Sequence, residues 1–319
     1  MKISVAFIVY NGAQYMSTQL DSILGQTHKV DEIIVFDDVS TDSTKEILDR
    51  YKKNYPDLFF LHYNKQNLGA TKNIEKAIKS CTGDIILLAD QDDYWNPNKV
   101  ESIIKWFITN PNMNGVFTNG YLMDSNNDLD NKYALWDAMS FPNKTIKNCE
   151  DLKLYINTVE NSVTGASLAI RNNLSFLKQP IPNIKHLVHD RWLAINLAEN
   201  NSLGILDEKI IRYRIHSNQA IGGMTQNLEK YINLNTDLLG DTPNINSSIM
   251  SFKDLRYILN KIEINLQIQN EINKIPNKDF NNSNYIEILK SKHNIYLQFG
   301  FRKWPILSIL RKIKRLITN

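Results

Sequence analysis

Residues 84–95 read DIILLADQDDYW, an apolar run that ends in three carboxylates within four positions, Asp90, Asp92 and Asp93. A short unbroken apolar run of this kind is a buried strand, typical of parallel sheets covered on both faces. Three like charges at its end repel one another, and two readings account for them. One is a turn, with Asn96-Pro97 opening the next helix and Pro97 in its first turn. The other is a bound cation, and an oxygen-only ligand set favours a hard divalent ion, Mg²⁺ or Mn²⁺.

Working outward, strand and helix patterns alternate. Strands are predicted at Ile3–Val9, Glu32–Phe36, Leu58–Tyr63 and Asp84–Ala89. Helices are predicted at Gln14–Leu24, at Thr41–Tyr51 with Ser40 as N-cap, and from Gly69 to about Ser80. Repeated βα alternation predicts an α/β fold with a mostly parallel sheet flanked by helices, in which ligands sit at the carboxyl ends of the strands. Asp37-Asp38 ends a second strand, so two acidic strand ends share that edge. Val116–Met123 and Ser162–Arg171 read as further strands, and the Asn/Asp-rich stretch 124–150 between them as a surface loop or flap. The chain turns Asn-, Lys- and Ile-rich and helical from about Met224, which divides it into 1–222, a helical extension 223–300 and a tail 301–319. The Asn bias reads as compositional.

The bulk properties exclude several classes. The 319 residues are 42% hydrophobic and 22% charged, an ordinary globular composition. The net charge of +3 is uneven: six cations and no acid lie in 301–319, so the body is net negative and carries no sign of a nucleic-acid partner. Cys81 and Cys149 make neither a disulfide framework nor a zinc set, which points to a reducing, cytoplasmic compartment. The opening MKISVAFIVYNG is too short for a signal peptide, and no stretch is long and apolar enough to span a bilayer. In the tail, apolar residues recur at 306, 309, 310, 313, 316 and 317 with cations between them. That is the pattern of a basic amphipathic helix on an anionic membrane surface, or of a terminal helix docked on the body with its cations on a solvated face.

Five motifs in order resemble the family 2 glycosyltransferases, inverting enzymes of the GT-A fold, over roughly residues 1–220. They are Val9-Tyr10-Asn11, Ser22-Ile23-Leu24-Gly25-Gln26-Thr27, Asp37-Asp38-Val39-Ser40-Thr41-Asp42, Asn67-Leu68-Gly69 with Lys72-Asn73, and Asp90-Gln91-Asp92-Asp93. Lys72 stands where the family usually has Arg. The resemblance implies that Asp38 accepts from the N3–H of a uracil or thymine ring, with Tyr10 packing nearby. It implies that Asp90 lies near the ribose and metal, that Asp92 binds the metal, and that Lys72 faces the diphosphate. Asp190, in His189-Asp190-Arg191-Trp192, matches the family's catalytic base, with helix capping as the alternative. Ser162-Val163-Thr164-Gly165-Ala166 resembles the small-residue strand under the sugar pocket. Tyr213-Arg214-Ile215-His216-Ser217-Asn218 resembles rhamnosyltransferase-like members, with Arg214 on phosphate oxygens and His216 as a third metal ligand or diphosphate contact.

The implied activity is metal-dependent transfer of a sugar, with Mg²⁺ or Mn²⁺, from a nucleoside-diphosphate sugar to a hydroxyl. The donor implied first is dTDP-rhamnose, then a UDP-hexose. The acceptor implied is a saccharide or lipid-linked acceptor of bacterial surface-polysaccharide synthesis, at the cytoplasmic face of the membrane. A sugar-nucleotide nucleotidyltransferase would open with a Gly-rich phosphate loop, where this chain has Tyr10-Asn11-Gly12-Ala13. A non-catalytic sugar-nucleotide-binding scaffold is the third class, and the presence of Asp38, Asp92 and Asp190 speaks against it.

Overall fold

The computed structural model describes residues 1–216, 228–239, 250–276, 278 and 280–303. Strands are β1 (Ile3–Val9), β2 (Glu32–Asp37), β3 (Phe59–Tyr63), β4 (Ile85–Ala89), β5 (Tyr94–Trp95), β6 (Gly115–Met123), β7 (Leu129–Ala134), β8 (Leu168–Arg171) and β9 (Leu203–Arg214). They form one sheet in the order β3-β2-β1-β4-β8-β6-β9-β5, with β7 paired to β6. The first four strands are parallel, and their registers set Val9 beside Asp37 and Phe7 beside Ala89. Their carboxyl ends therefore share one edge. Helices Met16–Leu24, Thr44–Asn54 and Ala70–Ser80 make the crossovers.

The second half departs from the mostly parallel sheet. β8 runs antiparallel to both β4 and β6, β5 antiparallel to β9 and β7 antiparallel to β6, while β6 and β9 are parallel. The sheet is mixed because an apolar run encodes burial and not strand direction. The stretch 124–150 is also more ordered than a loop: it holds β7 and the helices Leu135–Ala138 and Cys149 onward. Ser162–Arg171 is a strand only from Leu168, preceded by a 3₁₀ turn, Gly165–Ser167. Ser40 does not cap a helix, since the helix begins at Thr44 and the Ser40 hydroxyl donates to the Asp37 carboxylate.

The chain divides into two compact units, one of residues 1–141, 161–183 and 187–228, the other of 142–160, 184–186 and 229–319. Helix Cys149–Thr158 clusters with the C-terminal helices in the second unit. In that second unit, helix Phe252–Asn273 buries Leu255, Ile258, Ile262, Asn265, Gln269 and Ile272, an alternating three- and four-residue stripe. The two amides in the stripe have a specific task. Asn265 Nδ2 donates to the carbonyls of Thr158 (3.1 Å) and Val159 (2.9 Å), and Gln269 Nε2 to the carbonyl (3.0 Å) and Oδ1 (2.9 Å) of Asn157. Carbonyls at a helix C-terminus have no partner within the helix, so these amides complete the end of Cys149–Thr158. Part of the Asn-rich character is therefore structural. Arg302 and Lys303, assigned to the tail from sequence, are the last turn of helix Ser283–Lys303, where cations suit the helix dipole. Lys303 Nζ donates to the Met250 carbonyl at 2.7 Å. The remaining tail, 304–319, lies outside the described residues, as do Ser217 and Asn218 and the expected boundary at 222.

Replacing Asn265 by Leu keeps the volume and removes both bonds to buried carbonyls. Urea denaturation is expected to show a loss of about 2 kcal/mol, the cost of leaving such groups unpaired. An unchanged midpoint would show that these carbonyls are satisfied without Asn265.

Candidate active site

The parallel strands end in loops that staple one another. Gln91, between the acidic residues, accepts from the Tyr10 N–H (Oε1, 2.8 Å) and donates to the Tyr10 carbonyl (Nε2, 3.1 Å). A Cβ at Gly12 would stand 2.8 Å from Gln91 Oε1 and 2.7 Å from Val9 Cγ2, so a side chain there would displace the Gln91 amide or Val9. Asn11 Oδ1 accepts from the Thr41 N–H (2.8 Å), and Ser40 Oγ from the Asn11 N–H (2.8 Å). Asp42 binds the N–H of Ala13 (3.1 Å) and both the N–H and hydroxyl of Thr44. Burial works against its charge, but these donors hold its pKa below the ordinary carboxylate range. Val39 sits at φ +67°, a left-handed conformation that costs a β-branched residue energy. The bonds made by Asp38 and Ser40 on either side hold it there.

Asp38 is almost fully buried. Its Oδ1 accepts from the Leu68 N–H (2.8 Å) and Asn64 Nδ2 (2.9 Å), and its Oδ2 from the Gly69 N–H (2.8 Å). The carboxylate expected to read a base accepts three hydrogen bonds that order the loop 64–69. Gly69, at φ +78°, gives that loop its turn into helix Ala70–Ser80. Tyr10 is half exposed, leaving its ring open at the rim. The Lys72 Nζ lies 2.9 Å from Glu75 Oε2 and 3.3 Å from the Ile181 carbonyl. Glu75 also accepts from the Ile181 N–H and from Lys79, so Lys72 belongs to a knot around Glu75.

The acidic turn is completed by the far end of the sheet. The β5–β9 register pairs Tyr94 with Arg212, which carries residue 214 opposite residue 92. Asp92 Oδ2 then stands 2.9 Å from His216 Nε2. Asp93 is fully buried. Its Oδ1 accepts from the Arg214 N–H (3.0 Å), and its Oδ2 has no partner among the described residues. Arg214, expected to hold phosphate oxygens, is itself fully buried. Nε donates to the Asp92 carbonyl (2.6 Å), Nη1 to the Asp124 carbonyl (2.8 Å) and Nη2 to Asn127 Oδ1 (2.9 Å), with the guanidinium 4.3 Å from the Tyr15 ring centroid. It joins the acidic turn to the β6–β7 turn.

Asp190 is the second residue of helix His189–Glu199, whose N-cap, Val188, offers no side-chain bond. Its Oδ1 accepts from Asn161 Nδ2 (3.0 Å) and the Arg191 N–H (2.5 Å), and the carboxylate also accepts from the Gly165 N–H. Burial outweighs these bonds and pushes its pKa up to about 7. Asp90 is pushed up to about 6, first by burial and then by the charge of Asp92, with His189 and Asp190 also acting on it. Asp93 is driven well above the ordinary range by burial and then by the charges of Asp92 and Asp90. The structure thus brings Asp90, Asp92, Asp190, Arg214 and His216 into one acidic neighbourhood, whereas Asp38 and Lys72 serve loops. Asp93, Asn161 and Gln91 were not read as site residues from the sequence.

Lys99 was missed too. Its signal was a lysine at i, i+4 and i+8 with Ile103 and Phe107, the buried stripe of helix Lys99–Thr109. Burial pulls its ammonium down to about 7, against the charges of Asp93 and Asp90.

Among the described residues no three acidic, His or Cys side chains form a ready ligand cage. The donors still fit a hard divalent ion. Asp92 and Asp90 could supply oxygens and His216 an imidazole, and a cation there would relieve the repulsion within the turn. Mg²⁺ and ions like it are commonly held by one or two carboxylates with substrate phosphates supplying the rest.

Lysine at position 214 would keep the charge but reach only part of the three acceptors. Arg214→Lys is expected to lower stability by about 3 kcal/mol in urea unfolding. An unaltered stability would mean that the guanidinium is not the tie.

The model of glycosyl transferase family 2 matches residues 4–169. An uncharacterised glycosyltransferase of Nostoc sp. is 28% identical over 220 residues, 68% of this chain and 65% of the relative, so the match spans just under two thirds of that protein. Among solved structures, S. aureus TarS 1–349 in complex with UDP-GlcNAc superposes with a TM-score of 0.56 at 18% identity, covering 95% of this chain and 73% of that one. The mannosyltransferase PcManGT of Pyrobaculum calidifontis, in complex with GDP-Man and Mn²⁺, gives 0.51 at 13% identity, over 100% and 81% of the two chains. These likenesses establish an α/β fold of the GT-A kind, and with the acidic turn of β4 inside the matched span, the chain belongs to glycosyl transferase family 2.

Proposed function

We propose that the protein is an inverting, divalent-cation-dependent glycosyltransferase that moves a sugar from a nucleoside diphosphate to a hydroxyl of a saccharide or lipid-linked acceptor. The observation that carries this reading is Asp190. Its carboxyl has a pKa raised to about 7, sits at a helix start and faces the charges of the acidic turn. A general base is most effective when its pKa lies near the working pH.

The reaction replaces a diphosphate at an anomeric carbon through an oxocarbenium-like transition state, so charge builds on the leaving oxygens and on the attacking hydroxyl. Asp92, with Asp90 and His216, would hold a divalent cation, which when bound neutralises charge on the leaving diphosphate. Asp190 takes the proton from the acceptor hydroxyl as attack proceeds. Asn161 and the N–H groups of Gly165 and Arg191 fix the direction of its lone pairs. A single base on the face opposite the leaving group inverts the anomeric centre. The stretch Tyr213–His216 supports dTDP-rhamnose as first donor, and the fold neighbour that holds UDP-GlcNAc supports UDP-sugars as the next.

Release of nucleoside diphosphate from dTDP-rhamnose, UDP-glucose, UDP-galactose and UDP-GlcNAc, with Mn²⁺ and with EDTA, tests the reading. Metal-dependent release from one of them is expected, and no release from any would sink it. The sign of the pH effect follows from the raised pKa. Asp190 is ionised above about pH 7 and protonated below, so kcat/KM should fall as pH drops through 7. Asp190→Asn should lower kcat far more than donor affinity and abolish that acid limb. Normal specific activity in that variant would make Asp190 a structural residue.

No helix among the described residues is long and apolar enough to cross a membrane. The basic pattern of 304–319 supports peripheral docking on an anionic surface. Co-sedimentation with phosphatidylserine-containing vesicles should be lost on deleting 304–319 and weakened by salt. Equal binding with and without these residues would remove the membrane from the proposal.

A further inference from the structure

We propose that Lys99 is a positioning residue for Asp190, acting through the 3₁₀ turn Gly165–Ser167. The inference rests on Asp190 being the base. Lys99 is 1% exposed, and its Nζ donates to the Ala166 carbonyl at 2.7 Å while lying 4.0 Å from the Trp95 ring centroid. Ala166 is the middle residue of the turn. The residue before it, Gly165, donates its N–H to the Asp190 carboxylate. A Cβ at Gly165 would also stand 3.0 Å from His189 Nε2, so the turn packs directly on the first residue of the Asp190 helix.

An ammonium is a costly way to fill this space. Desolvating a charge is expensive, and a buried ionic group is often replaced by an apolar one of like volume without loss. Packing on Trp95 and the stripe of helix Lys99–Thr109 would be met by methionine. What methionine cannot do is donate to the Ala166 carbonyl or face the Asp90 and Asp93 carboxylates with positive charge. The ammonium therefore links the two halves of the site. One side of it is the acidic turn after β4, and the other is the turn that aims the Asp190 carboxylate.

The test is a double-mutant cycle of Lys99→Met and Asp190→Asn in the full chain. It is read as diphosphate release from whichever sugar nucleotide of the panel above turns over, beside UDP binding by calorimetry and thermal unfolding. Lys99→Met is expected to unfold cooperatively and to bind UDP within about threefold of the parent. Its kcat is expected to fall roughly 10²-fold, as misplacement of a reacting group does. Because Lys99 acts through Asp190, the double variant should be no slower than Asp190→Asn alone. Two losses that multiply, a loss confined to KM, or a Lys99→Met protein that does not fold would overturn the inference. An unchanged kcat in Asp190→Asn would instead overturn the reading of the base itself.

Discussion

Mutual repulsion among Asp90, Asp92 and Asp93 is the constraint around which the catalytic unit is arranged. Strand β4 is buried along its whole length, so the charges at its end have little water to disperse them. Each is answered differently. Asp92 meets His216, Asp93 takes the Arg214 N–H, and Asp90 keeps a raised pKa. Two buried cations, Lys99 and the Arg214 guanidinium, lie among these carboxylates, and both donate to main-chain carbonyls. Among the described residues, Asp93 Oδ2 has no hydrogen-bond partner. Such residual frustration is common where a site completes itself with substrate.

Sheet topology makes that arrangement possible. Parallel β1, β2 and β4 bring three loops to one edge, but they hold no basic residue beside the acidic turn. The remaining partners come from the antiparallel pairing of β5 with β9, two residues against two. That short ladder brings residues 214 and 216 against residues 92 and 93 across more than 120 positions of chain. Gln91 performs the same service on the other side, tying the turn to Tyr10. The site is thus held by pairings of high sequence separation, and its geometry depends on the sheet being complete.

The legible parts were those written in local pattern. Strands β1 to β4 follow from apolar runs between turn residues, and the acidic strand ends follow from topology once the sheet is parallel. Asp190, Asp92 and His216 were found through family motifs, and the structure places them together. What escaped was set by partners far along the chain. The antiparallel direction of β8 is invisible in four apolar-rich residues. Asp38 and Arg214 have the right chemistry for ligands, but whether a carboxylate or guanidinium faces a ligand or a backbone is decided by neighbours 26 to 122 positions away. Lys99 was hidden for the opposite reason: a lysine reads as solvated, and only the carbonyl of Ala166 and the carboxylates show why it is buried. Asn265 and Gln269 looked like compositional bias until the end of helix Cys149–Thr158 supplied their acceptors.

The contrast between Asp42 and Asp190 shows how the fold moves two carboxylates in opposite directions. Burial opposes the charge of both, and each accepts main-chain N–H bonds plus one side-chain donor. Their pKa values nevertheless move in opposite directions, Asp42 down and Asp190 up to about 7. The difference is the balance between donors and desolvation. Asp42 sits on the loop after β2, where its bonds from Ala13 and Thr44 outweigh a modest loss of water. Asp190 stands in the enclosed acidic neighbourhood, where the loss of water outweighs equally good bonds. Donors alone would have made Asp190 another staple, a carboxylate too weakly basic to take a proton from a hydroxyl. Depth turns the same set of bonds into aim without saturation, leaving a base whose proton affinity matches neutral pH.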